Sequence, residues 1–526
     1  MNFGPERARG LMTVWPALAG AAQAASIAMP GSGQAQGWLQ VLSLAVLAAG
    51  LSRTARAHAD HAKSMLLKRA AWQGSVFAAV WLAGCFWWLY VSMHDVGGLP
   101  APLAVLAVVA LAAAMSLFYA LACAVWAGLS RHRVWGARPW GLSVLFAATW
   151  TLAELMRGQW FTGFPWGAGG YAHVDGVLAV WAPWVGVYGM GAIAAALAMR
   201  LALAGVGWRA AKTLMGVGAL SWALQAWVPA FTTSAGVGQV ELLQANISQN
   251  TKFDAGSGIR DALQWYDARL RESQQPLVVT PETAIPLLPR HLPEGYWAGL
   301  QQHFAQAGRP LALVGLPLGS LSEGYTNSVL ALGPQALQGP GAYRYDKSHL
   351  VPFGEFIPPG FVWFVRQMQI PLGDFRSAGP EQPAIEWQGQ RLAPNICYED
   401  LFGEELAIRF KDPATAPTAL VNVSNIAWFG DTLAIDQHLN ISRLRAMELG
   451  RPMLRATNTG ATAIIDHQGR VTDQLPRFTR GSLVGRYEGR HGLTPFARWA
   501  SAWGLWPLWG LCCAVLGWAF LRRQRP

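Results

Sequence analysis

Residues 394–400 read PNICYED, closing the longer run RLAPNICYED (391–400). The run is β-like, bounded by turn-forming residues, and it delivers Cys397 to the end of a strand beside Glu399 and Asp400. Cys397 stands apart from the chain's other cysteines. Cys85, Cys123, Cys512 and Cys513 lie inside long apolar stretches, where a thiol is usually a small core residue. In α/β folds, ligand sites collect at strand ends, so a lone thiol placed there calls for a chemical explanation.

Outward from Cys397, two more segments have the same form. LVVTPETAIP (277–286) puts Glu282 just past an apolar strand, and the flanking Pro281 and Pro286 prevent helical continuation. YRYDKSHLVPFGEF (343–356) puts Lys347 just past another. Across 233–497, short β-branched runs alternate with amphipathic helical stretches such as GIRDALQWYDARLRESQ and IDQHLNISRLRAMELG. That alternation predicts an α/β layered domain.

The three residue types suit nucleophilic catalysis. A free thiol has a pKa near 8.5 and needs a base or a nearby cation to become a nucleophile. A carboxylate can take its proton, and a lysine can hold the oxyanion of a tetrahedral intermediate. Glu282, Lys347 and Cys397 therefore form a self-consistent set for acyl transfer through a thioester. Singly, each has a plainer reading: a solvated acid, a surface charge and an inert small core residue. His349, two residues after Lys347, reads as structural because the set already has a carboxylate base.

The rest of the chain reads as membrane protein. Of its 526 residues 52% are hydrophobic and only 13% charged, about half the charge of a typical soluble domain. Mean hydropathy is +0.23. The 27 Trp suit membrane interfaces. The net charge of +11 does not indicate nucleic acid, because the basic residues sit between apolar segments without aromatic interleaving. No cysteine framework, zinc spacing, P-loop or dinucleotide fingerprint is present.

Seven apolar spans, about 11–29, 37–52, 72–92, 101–129, 139–156, 177–200 and 212–230, precede the α/β domain, and an eighth, 498–521, follows it. The expected domains are 1–232 (seven helices), 233–497 (catalytic) and 498–526 (closing helix and tail). The first span has the basic start and small residues of a signal peptide, but the spans that follow at once favour an uncleaved helix. With the N-terminus cytoplasmic, sixteen Lys and Arg fall in the inside segments and one, Arg157, in the short outside loops. Seven crossings then place the α/β domain outside and the eighth returns the tail to the cytoplasm.

PETAIP, YDKSHLVPFGEF and NICYED together resemble the nitrilase superfamily, whose Glu–Lys–Cys triads sit on an αββα sandwich. With ELMRGQWFTGFPW and LLQANISQ, the chain is more similar to the superfamily's membrane branch, the apolipoprotein N-acyltransferases. The resemblance implies Glu282 as general base, Lys347 as stabiliser of the intermediate and Cys397 as acyl-accepting nucleophile. It implies a further essential acid at Glu355 and supporting roles for Tyr398 and Glu399. Phe253 stands where the family often has Trp, which keeps an aromatic surface but loses the indole N–H.

The activity implied takes an acyl chain from a phospholipid, with phosphatidylethanolamine as expected donor, and passes it to the α-amine of a diacylglyceryl-cysteine on an apolipoprotein. It needs no cofactor or metal. The location implied is the bacterial inner membrane, with a periplasmic catalytic domain and both termini cytoplasmic. The proline- and aromatic-rich stretch 352–380 reads either as a packed loop or as an arm that dips toward lipid. RGQWFTGFPWGAGGY (157–171) reads by default as an interfacial aromatic anchor and otherwise as part of the acyl pocket, with Glu154 snorkelling or pairing with Arg157. Two rivals remain: a membrane-anchored nitrilase-type amidase using water as second nucleophile, and a transporter or scaffold with an inactive domain.

Overall fold

The computed structural model describes residues 5–57, 63–131, 138–227, 230–254, 256–320, 322–334, 343–358, 360 and 375–523. They divide into two compact units. One comprises Met1–Trp87, Pro102–Pro229 and Leu505–Pro526; the other comprises Trp88–Ala101 with Ala230–Gly504.

The first unit is helical. Its long helices run Pro5–Ile27, Gly37–Ala57, Lys63–Phe86, Ala101–Ser130, Pro139–Gln159, Ala182–Ala204, Trp208–Trp227 and Trp506–Arg523. Among the described residues, three stretches, Gly37–Ala57, Ala101–Ser130 and Ala179–Ala204, are by themselves long and apolar enough to cross a membrane. Counting each of two broken helix pairs as one span raises this to five. Ala101–Ser130 turns Leu103, Val105, Leu106, Val109, Leu117 and Leu121 outward. An exposed apolar band of that size suits lipid contact. Small residues let the helices close up: at Gly20 a Cβ would lie 2.3 Å from the Phe77 carbonyl oxygen.

Three expectations change here. The stretch 498–521 is not one helix. Pro495–Trp503 buries Phe496, Ala497 and Ala500 in the second unit, and a separate helix starts at Trp506. Arg157 is not a loop charge: it lies in the last turn of Pro139–Gln159, buried, donating to the Tyr119 hydroxyl and the Trp166 carbonyl. Glu154, also buried, accepts from the Gly169 N–H, so it does not snorkel.

The second unit is built on two six-stranded sheets. The strands are β1 (Thr232–Gln244), β2 (Leu277–Val279), β3 (Leu311–Ser320), β4 (Gly324–Leu332), β5 (Arg344–Asp346), β6 (Ile385–Trp387), β7 (Gln390–Ile396), β8 (Ala419–Ser424), β9 (Met453–Thr457), β10 (Ala463–Ile465), β11 (Val471–Gln474) and β12 (Gly481–Gly492). The sheet orders are β12-β1-β2-β3-β4-β5 and β11-β10-β9-β8-β7-β6. The strands β1–β2–β3 and β7–β8–β9 pair in parallel.

Alternation along these strands sorts the residues into layers. Leu277 and Val279 of β2 join Leu311 and Leu313 of β3 in a core shared with Leu392, Ile396, Val421 and Val423 of the other sheet. Val278, Ala312 and Val314 point the opposite way, onto Tyr266, Leu270, Leu300 and Phe304 of helices Gly258–Glu272 and Tyr296–Ala305. On the far side, Ala393, Leu420, Met453 and Ile465 pack against Leu406, Ala446, Leu449 and Phe496. Helices thus cover both outer faces and the sheets meet in the middle, the expected αββα sandwich.

Candidate active site

Glu282, Lys347 and Cys397 all follow strands. Glu282 lies just past β2 and Lys347 directly follows β5 in one sheet, while Cys397 directly follows β7 in the other. Face-to-face packing brings these ends together. Lys347 is buried, and its Nζ lies 2.9 Å from Glu355 Oε1 and 3.3 Å from Glu282 Oε1. Asn327 of β4 donates to the same two oxygens, at 2.7 Å to Glu282 and 2.8 Å to Glu355. The Asn425 N–H, just past β8, binds Glu282 Oε2 at 2.9 Å. The Val351 N–H binds Glu355 Oε2 at 2.8 Å. Both carboxylates are thereby fixed at each oxygen.

Cys397 is not the last strand residue but the first of a tight turn, Cys397–Leu401, with φ +52°. Thr283, next to Glu282, has φ +46°. Left-handed backbone at non-glycine residues costs of order 1–3 kcal/mol and gathers at functional sites. The turn also separates the neighbours of Cys397. Tyr398 is buried, packing edge-on against Phe402 at a ring distance of 5.3 Å. Glu399 accepts from the N–H of Ile396 (2.5 Å), the N–H and hydroxyl of Ser348 (2.6 Å each), the N–H of His349 (3.2 Å) and the Tyr345 hydroxyl (2.9 Å). It ties the end of β7 to the segment carrying Lys347. His349 is taken up by Glu405 at 2.9 Å and stacks on Phe402.

The electrostatics define the resting state. Burial alone would raise Glu282, but Lys347, Asn327 and Lys252 outweigh it and hold it below the usual carboxylate range. Burial alone would lower Lys347, but Glu282 and Glu355 outweigh it and hold the ammonium above an ordinary lysine. Burial, then the Glu282 charge, push the Cys397 thiol up to about 12. The free site therefore holds a carboxylate, an ammonium and a thiol.

Lys252, which sequence reasoning passed over, belongs here too. It is buried, its Nζ donates to the Thr283 hydroxyl (2.6 Å) and the Glu282 carbonyl (3.3 Å), and burial pushes it down to about 8 against Glu282 and Cys397. Its only sequence signal is its place in NTKF, next to Phe253. Phe253 is 42% exposed, its ring 5.9 Å from Lys252 Nζ. Beyond Glu355, the Phe375 N–H binds the Glu355 carbonyl and the Ala378 N–H the Lys347 carbonyl. Residues 359 and 361–374 of the stretch read either as a packed loop or as a lipid-facing arm lie outside the described residues.

Comparison with known proteins agrees with this layout. Residues 19–200 match the family described as the apolipoprotein N-acyltransferase N-terminal domain, and residues 239–487 match carbon-nitrogen hydrolase. An apolipoprotein N-acyltransferase of Verminephrobacter eiseniae is 53% identical, covering 97% of this chain and 96% of the relative. One from Ralstonia nicotianae is 46% identical over 93% of this chain and 90% of its own length. One from Bordetella bronchiseptica is 40% identical over 97% and 96%. The chain belongs to the apolipoprotein N-acyltransferase family and contains a carbon-nitrogen hydrolase domain.

Proposed function

We propose that this enzyme N-acylates lipoproteins in two half-reactions through a thioester on Cys397. The observation that carries this reading is the buried cluster in which Lys347 lies between the carboxylates of Glu282 and Glu355, beside a thiol at the next strand end. In the first half, Cys397 Sγ bonds to the acyl carbonyl of a phospholipid, phosphatidylethanolamine being the proposed donor. Glu282 takes the thiol proton, Lys347 and Lys252 face the developing oxyanion, and the ester C–O bond breaks. The proton passes from Glu282 to the leaving glycerol oxygen, releasing a lysophospholipid.

In the second half, the neutral α-amine of a diacylglyceryl-cysteine at an apolipoprotein N-terminus attacks the thioester. A C–N bond forms, the C–S bond breaks, and Glu282 moves the amine proton to the departing thiolate. Glu355 holds Lys347, Glu399 holds the turn after the nucleophile, Tyr398 packs under that turn against Phe402, and Phe253 offers apolar surface to the acyl chain. Apolar helices suit two lipid substrates. The Lys and Arg distribution supports inner-membrane residence with a periplasmic catalytic domain and cytoplasmic termini.

The test is intact mass after incubation with phosphatidylethanolamine carrying a labelled acyl chain, with and without an acceptor peptide. A fatty-acyl adduct on Cys397 that moves to the peptide amine is the expected result. Label released mainly as free fatty acid would instead support the amidase-like hydrolase.

A further inference from the structure

Cys397 has a second set of partners, on the side of its backbone. Its carbonyl oxygen lies 3.3 Å from His438 Nε2, on helix Leu433–Leu449, and 3.4 Å from Asn422 Nδ2, in β8. His438 is itself held on both ring nitrogens. Arg455 Nη2, in β9, lies 2.7 Å from Nδ1, and Asp400 Oδ1 lies 2.8 Å from Nε2. A guanidinium only donates, so Nδ1 is the acceptor and the ring proton sits on Nε2. That one proton is shared between the Asp400 carboxylate and the Cys397 carbonyl.

The surroundings leave the ring little freedom. Arg455 Nη1 also reaches Ser442 Oγ (2.6 Å), Asn422 Oδ1 (3.1 Å) and Asp400 Oδ2 (3.4 Å), and the Ser442 hydroxyl donates to Asp400. Asp400, His438, Ser442, Asn422 and Arg455 are all buried. The charges balance, with Asp400 against Arg455. Burial and the Arg455 charge hold His438 below its ordinary pKa, in agreement with a neutral ring. The left-handed backbone of Cys397 persists only where its surroundings impose it, and a carbonyl held by two donors imposes it.

We propose that His438, fixed between Arg455 and Asp400, is a positioning residue for acyl transfer: its Nε2–H holds the Cys397 carbonyl and so keeps the thiol beside Glu282 and Lys347. This rests on Cys397 being the acyl carrier. The experiment uses the full-length enzyme in detergent micelles with phosphatidylethanolamine. It reads thioester formation in a single turnover, half-saturation by phospholipid, and alkylation of Cys397 by iodoacetamide.

His438→Ala is expected to slow acylation by about 10- to 100-fold, the effect of one lost buried hydrogen bond to the turn that carries the thiol, without slowing alkylation, because a thiol released from the Glu282 charge ionises more readily, and with half-saturation changed less than about twofold. Two conservative variants decide the matter even if the alanine variant does not fold. The Gln amide nitrogen reaches the position of Nε2, whereas that of Asn reaches only Nδ1. His438→Gln within about fivefold of the unsubstituted enzyme, with His438→Asn slow, supports the proposal. Equal loss or equal retention in the two overturns it. Absence of any adduct on Cys397 in the unsubstituted enzyme overturns the thioester reading as well.

Discussion

Lys347 Nζ lies 2.9 Å from Glu355 Oε1, a shorter approach than the 3.3 Å that separates it from Glu282. Glu355 makes the closer contact with the lysine, whereas Glu282 has the larger charge effect on Lys347 and also acts on the Cys397 thiol, which suits it to the proposed role of moving protons. Asn327 spans both carboxylates and fixes their spacing. The two acids should then fail differently. Glu282→Gln removes the base and is expected to slow thioester formation by about 10²–10⁴-fold. Glu355→Gln leaves the base in place with a less firmly held Lys347, and the expected loss is about 10- to 100-fold. Time-resolved intact mass of the acyl-enzyme measures both, and an equal effect of the two would refute this division of labour.

The free thiol should be sluggish, because burial and the Glu282 charge push Cys397 up to about 12. Thiolate is the reactive form, so alkylation should climb by about tenfold per pH unit from 7 toward 11, with no plateau near an ordinary thiol pKa. Removing the carboxylate should lower the thiol pKa. Glu282→Gln is therefore expected to speed alkylation at pH 8 while it slows acylation by phospholipid. Peptide mass mapping at Cys397 reads the first rate. A plateau near pH 8.5 in the unsubstituted enzyme would show that the thiol is not held in this way.

Lys252 adds a limb on the alkaline side. Its buried ammonium, pushed down to about 8, is charged below that pH and neutral above it. The positive charge beside Glu282 and Cys397 is present at pH 7 and lost as pH rises through 8. Lys252→Met, which lacks that charge throughout, is expected to form thioester about 3- to 30-fold more slowly at pH 7. The ratio of unsubstituted to variant rate should fall toward one by pH 9. A ratio constant from pH 7 to 9 would assign Lys252 a packing role only.

The sequence made the strand ends visible because apolar β-runs stop at them. Glu282, Lys347 and Cys397 could be placed this way, whereas Glu355 came from the family resemblance alone. Their partners were hidden for a physical reason. Asn327, Asn425, His438 and Arg455 sit in or beside strands and helices with ordinary patterning, and only parallel pairing of β7, β8 and β9 brings Asn422 and Arg455 under Cys397. Lys252 was hidden because a lysine in a polar loop usually faces water. Segment Trp88–Ala101 misled in the other direction. FWWLYVSM reads as the end of an apolar span, yet Trp88 donates to Gln437 Oε1 and packs on Phe429 within the second unit. Hydropathy cannot separate a tryptophan facing lipid from one seated in a protein core.

Glu399 separates stability from chemistry. Its carboxylate accepts from three backbone N–H groups and two hydroxyls, linking Ile396 before the nucleophile with Ser348 and His349 after Lys347. Glu399→Gln would turn one acceptor oxygen into an NH2 group facing donors, so at least one buried donor loses its partner. That costs about 2–4 kcal/mol, because the bonds lost are to a charged group. Tyr345→Phe removes a single donor to the same carboxylate and is expected to cost about 1 kcal/mol. By contrast, Glu282→Gln keeps its neighbours packed and should change unfolding less than Glu399→Gln does. Thermal unfolding of the full-length chain in detergent, set beside acylation rates of the folded protein, distinguishes the two acids. Glu399→Gln should lower Tm first and lose activity in proportion to the turn it releases. If it is as stable as the unsubstituted enzyme and still inactive, Glu399 acts on the substrate rather than through the turn.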